Sequence, residues 1–148
     1  VLEIDNEYSP DLFKQGFPFY KLGILGQHYL TLFITNLVWA NRIIFQTITD
    51  VNYQLQLPLG GNNTLRGLPQ DRYLSTSTAL INSEFRIPIW KRFGGIAGVD
   101  IGKGSSTSDW IINPVIGLRF YMDNFVVRFD VGFGSKTTGI YFNFGNIF

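Results

Sequence analysis

Two carboxylates, Glu84 and Asp100, and a loop arginine, Arg66, stand out as residues whose types and spacing bear on chemistry. A carboxylate pair can divide acid and base work. The same stretch of chain also carries Arg86, Arg119 and Arg128, and so many cations favour an ion network over catalysis. A lipase would need serine beside histidine. The one histidine, His28, sits among Leu22, Ile24, Leu30 and Leu32 on an apolar register, with no serine at an evident matching depth. The chain has no cysteine, which removes thiol chemistry, disulfides and thiolate metal sites. The segment from Gly60 to Leu68 reads Gly-Gly-Asn-Asn-Thr-Leu-Arg-Gly-Leu and lacks the Gly-Lys-Ser/Thr ending of a phosphate loop. Its Asn62-Asn63-Thr64 is formally a glycosylation sequon. The expectation is a non-enzyme with no cofactor and no metal.

The elements that hold these residues follow from composition and alternation. Hydrophobic residues make up 45% of the 148 and charged residues only 16%, well below the usual quarter. Yet no run approaches the roughly 20 apolar residues of a membrane helix. The apolar residues must therefore be hidden by alternation. In residues 125–133, Phe125, Val127, Phe129, Val131 and Phe133 alternate with Arg128, Asp130 and Gly132. Successive strand side chains point to opposite faces, so one face is apolar and the other charged. Residues 80–89, 96–103, 112–121 and 140–148 behave alike; residues 2–8, 20–32 and 38–49 give weaker candidates. That makes about eight strands, each near the ~9–11 residues that cross a bilayer at a tilt.

A soluble sandwich also alternates. Here, however, nearly every apolar face is rich in large aromatics, more than a small core packs. The connections also alternate in length: Thr35-Asn36, 88–92 and 122–124 are short, while 9–18, 50–78, 103–109 and 134–138 are longer. Short turns at one end and long loops at the other characterise outer-membrane barrels. The expected fold is all-β: one antiparallel transmembrane β-barrel domain over 1–148, either a complete small barrel or half of a sixteen-stranded one. Short turns and both termini would lie on the periplasmic side. Phe142, Phe144 and Phe148 share the apolar face of the last strand and read as a C-terminal assembly signal. A net charge of +1 without a basic cluster argues against nucleic acid. The chain opens at Val1 without Met or a leader, which reads as a processed protein or a fragment.

Three further features, in order, resemble the C-terminal barrel half of the outer-membrane assembly and two-partner secretion superfamily (BamA, TamA and FhaC types, the bacterial surface antigen family). Leu65-Arg66-Gly67-Leu68 after the glycine pair resembles the family's Val-Arg-Gly-aromatic loop; Ser83-Glu84-Phe85-Arg86-Ile87-Pro88 resembles the strand that follows it. Gly98-Val99-Asp100-Ile101-Gly102 resembles a third family strand, and Gly117-Leu118-Arg119 and the ending from Arg128 also fit. The resemblance covers residues 58–148. Leu65 and Leu68 depart from the usual Val and aromatic, no periplasmic POTRA module precedes the strands, and about half of the usual sixteen strands are present. The resemblance implies that the loop enters the barrel and that Arg66 pairs with Glu84 and Asp100, with Gly67 allowing the tight backbone. The two carboxylates share the polar parity of adjacent strands, and a planar guanidinium can serve both. The residues alone also fit a solvated Arg66, with Glu84 paired to Arg86, Arg119 or Arg128. The implied partners are the lipid bilayer, the outer-membrane assembly machinery, and an unfolded client protein or a second barrel chain. Two functions stand side by side: protein insertion or translocation, and a small structural or receptor-like barrel without transport. An eight-stranded barrel is just filled by its own side chains, so an inserted loop would require more strands, a second chain, or a loop that caps from outside.

Overall fold

The computed structural model describes residues 1–9, 18–32, 36–49 and 53–145. Its strands in chain order are β1 (Leu2–Ser9), β2 (Phe19–Leu32), β3 (Leu37–Thr49), β4 (Leu57–Leu59), β5 (Tyr73–Ser75), β6 (Ser77–Trp90), β7 (Phe93–Gly104), β8 (Ile111–Tyr121), β9 (Val126–Phe133) and β10 (Thr138–Phe144). Eight of them form one antiparallel sheet in the order β1-β2-β3-β6-β7-β8-β9-β10. β4 and β5 form a separate small hairpin inside the long 50–76 connection.

Alternation fixes which side of each strand faces where. On one face, side chains such as Ile43, Ile116, Leu118, Phe129, Ile140 and Phe142 are exposed. On the other, the register aligns polar side chains directly opposite one another: Gln27 with Arg42, Arg42 with Asn82, Asn82 with Asp100, and Asp100 with Asn113. A one-residue slip anywhere would send this row to the apolar face, so the patterning of both faces pins the register.

The long connection packs on the polar face. Leu59, Leu65 and Leu68 from the connection bury against Leu80, with Ile44, Tyr73 and Ile111 around them. Each such leucine removed from water contributes roughly 1.5–3 kcal/mol. Leu65 and Leu68, the departures from the family's pattern, thus hold the loop down. The sheet is curved around that loop. Glu84 on β6 and Asp130 on β9 meet the same nitrogen of Arg66 at 3.3 and 3.2 Å, whereas strands three apart in a flat sheet are separated by about 14 Å.

Of the two expected forms, a complete small barrel or half of a larger one, the closed eight-stranded barrel is not what the described residues form. β1 and β10 are the two edges of an open sheet, and the loop occupies the concave space that eight strands would need in order to close on their own side chains. Two connections also differ from expectation. β6 runs on through Pro88 to Trp90 with a register shift between those residues, so the turn is only 91–92. Pro88 is tolerated because β3 pairs with β6 only as far as Arg86, so no ladder bond to β3 is lost at Pro88. The β9–β10 connection is a tight turn closed by Gly134 N–H donating to Thr137 C=O at 2.8 Å, not a long loop.

Candidate functional site

The site is built where the loop meets β6 to β10. Arg66 is fully buried. Its backbone N–H and Nε donate to Asp100 Oδ2 at 3.0 and 2.8 Å, and its Nη2 donates to Asp100 Oδ1 at 2.8 Å. Its Nη1 donates to both Glu84 Oε2 and Asp130 Oδ2. Asn113 Nδ2 donates to the Arg66 carbonyl at 2.8 Å, closing the cage from β8. Burial alone would lower the pKa of Arg66, but the hydrogen bonds and charge of Asp100, with the charges of Glu84 and Asp130, outweigh it and hold it above the ordinary value. Arg66 is therefore a fixed cation.

The surrounding charges form one network. Asp130 accepts from Arg119 Nη1 at 2.5 Å and lies 3.0 Å from Arg128 Nε. Arg128 Nη2 donates to Asn62 Oδ1 in the loop. Glu84 also takes Arg86 Nε at 2.8 Å. Arg42 Nη2 bridges Asn82 Oδ1 and the Asn63 carbonyl at 2.7 and 2.6 Å, and Asn82 Nδ2 reaches Asp100 Oδ1 and the Thr64 carbonyl. Among the described residues, four arginines (Arg42, Arg66, Arg119, Arg128) and three carboxylates (Glu84, Asp100, Asp130) are buried in the protein. The two pairings of Glu84 open at the level of sequence thus coexist: it serves Arg66 and Arg86 together.

The loop is also held by neutral bonds at its far side. Tyr141 on β10 donates its hydroxyl to the Leu68 carbonyl at 2.8 Å and accepts from Gly67 N–H at 3.0 Å. Thr137 Oγ1 donates to the Gly67 carbonyl at 2.5 Å. Gly67 has φ +99°, a conformation that favours glycine. Opposite it, a Cβ at Gly132 would collide with the backbone of Arg66 and Gly67. Gly132→Ala should therefore cost about 1–3 kcal/mol by overpacking, read as a lower urea midpoint of the refolded protein. An unchanged midpoint would mean that the loop does not sit against β9.

The four residues expected at the loop, Arg66, Gly67, Glu84 and Asp100, are thus brought together. Sequence reasoning did not place Asp130, Asn82, Asn113, Arg42 or Tyr141 in the site, and named Arg119 and Arg128 only as alternative partners of Glu84. The signal for Asp130 was present in its parity with Arg128. Phe142 and Phe144 lie exposed on the apolar face with ring centroids 5.7 Å apart; Phe148 lies outside the described residues.

His28 is exposed on that face too, and the register corrects the expectation that no serine shares its depth. His28 lies opposite Asn41, and Asn41 lies opposite Ser83. Ser83 Oγ donates to Asn41 Oδ1 at 2.8 Å. The order histidine, asparagine, serine puts the asparagine between base and nucleophile. A proton relay needs the histidine in the middle, so the row is not arranged as a hydrolase.

Compared with known proteins, the chain matches no protein-family model and no curated protein sequence.

Proposed function

We propose that this chain is the wall of an outer-membrane β-barrel of the protein insertion and translocation superfamily, with its long loop latched on the lumenal face by Arg66. The observation that carries the reading is the division of the curved sheet. Among the described residues, its convex face exposes large apolar side chains with no layer over them, including Ile140, Phe142 and Phe144 at 67%, 63% and 69% exposure. Its concave face holds a buried ion network and a loop. A soluble sandwich puts its apolar face inside; a bilayer is the solvent that suits this inverted arrangement. The loop sequence Leu65-Arg66-Gly67-Leu68, seated against carboxylates of β6 and β7, matches what the family resemblance implies.

In this reading the edges β1 and β10 pair with further strands to complete the barrel. The preparation that tests it is refolding: the protein should stay β-rich and monodisperse only in detergent or lipid. A monodisperse soluble monomer without detergent would overturn the membrane assignment.

The second reading, a structural barrel without transport, is favoured by one observation. The loop reaches from Arg42 on β3 to Tyr141 on β10 and so covers most of the concave face. A path for a polypeptide would require the loop to leave.

A further inference from the structure

The two-residue turn between β6 and β7 carries adjacent cations, Lys91 and Arg92, both exposed, between two aromatics, Trp90 and Phe93. The rings are nearly parallel, with centroids 6.3 Å apart and 8° between planes. Trp90 is 63% exposed and Phe93 47%. Phe93 continues into Phe120 on β8, with centroids 4.8 Å apart, so the pair belongs to the rim of the convex apolar face. Lys91 has φ +46° and its ammonium stands 4.9 Å from the centre of the Trp90 ring. Cation–π contact of this kind holds the charge at the edge of the aromatic surface. Arg92 pairs with Asp123 of the next turn at 3.0 Å, with both side chains open to solvent, which leaves one net positive charge among Lys91, Arg92 and Asp123. At the opposite end of the sheet, Trp110 is also exposed, but Asp109 precedes it.

We propose that the turn Trp90-Lys91-Arg92-Phe93 binds the headgroup of an anionic phospholipid, the two rings lying at the level of the glycerol and upper acyl chains and the two cations meeting the phosphate. This rests on the membrane reading above and names the lipid class at one rim. Aromatic rings with one apolar and one wet side settle at a bilayer interface, and cations beside them at the same height fit an anionic headgroup.

The test uses two single-tryptophan variants refolded into vesicles. W39F/W110F leaves Trp90 as reporter, and W39F/W90F leaves Trp110. Quenching by brominated phosphatidylcholine reports bilayer contact, and competition between brominated phosphatidylglycerol and phosphatidylcholine reports headgroup preference. Trp110 should be quenched by brominated lipid. Trp90 should be quenched with about a five-fold preference for phosphatidylglycerol, as one net surface charge supplies. Adding Lys91→Asn and Arg92→Gln leaves Asp123 without its cation and should abolish that preference, to parity or below; asparagine tolerates the positive φ at position 91, so the turn keeps its shape. Equal quenching of Trp90 by the two lipids, or a preference that survives both substitutions, would overturn the lipid site and leave the membrane reading standing. No quenching at either tryptophan would overturn both.

Discussion

Arg66→Ala should lower the unfolding free energy by about 3–5 kcal/mol and free the loop to protease cleavage between residues 60 and 75. The size follows from what the side chain leaves behind. Glu84, Asp100 and Asp130 are each almost entirely buried and each faces the Arg66 guanidinium. Asp100 takes three hydrogen bonds from Arg66 and one from Asn82. Removing the cation strands Asp100 in a medium that cannot solvate it, while Glu84 keeps Arg86 and Asp130 keeps Arg119 and Arg128. Arg66→Lys should rescue little, because one ammonium cannot reproduce a planar fork that meets three carboxylates. Asp100→Ala should expose the same loop bonds, and the double variant should be no worse than the worse single one, since both remove one coupling. Full additivity would mean that the two residues act independently and that the loop is not latched by their contact. Urea titration in lipid and timed proteolysis read these outcomes. In a transport-type barrel the freed loop should also raise ion conductance across a planar bilayer. In a structural barrel it should leave conductance at the wild-type level.

The parts of this fold that depend on one strand at a time were legible in the sequence. The alternation around Phe129 and Asp130 assigned faces, and the same reading on seven other segments located the strands of the main sheet within a few residues. What depends on two strands together was not legible. The row Gln27, Arg42, Asn82, Asp100, Asn113 exists only once four registers are set, and no single segment encodes a register. The His28, Asn41, Ser83 row was missed for the same reason. Curvature was hidden too: Asp130 meets Arg66 because β9 curls toward β6, which parity alone does not say. The hairpin of β4 and β5 escaped because strands of three residues are too short to show a period. Pro88 read as a turn residue because its exception depends on where β3 stops pairing.

Asp130→Asn should rival Arg66→Ala in cost, again about 3–5 kcal/mol, though with a different signature. Asp130 serves three guanidinium groups: Arg66 Nη1 at 3.2 Å, Arg119 Nη1 at 2.5 Å and Arg128 Nε at 3.0 Å. Arg119 and Arg128 are directly opposite partners on β8 and β9. Like charges in that position repel, and the Asp130 carboxylate is what joins them. Asparagine keeps the shape and removes the charge, so four buried arginines would face two buried carboxylates in place of three. The strain falls on the sheet more than on the loop, because Asp100 and Tyr141 still hold Arg66, Gly67 and Leu68. Asp130→Asn should therefore lower the urea midpoint strongly while accelerating cleavage between residues 60 and 75 less than Arg66→Ala does. Adding Arg128→Gln should recover part of the loss, since it removes one of the two facing cations. An unfolding free energy within about 0.5 kcal/mol of wild type, the range of an ordinary surface change, would show that the three arginines are satisfied without Asp130. A double variant worse than Asp130→Asn alone would show that Arg128 stabilises the sheet through Asn62 and not through the carboxylate.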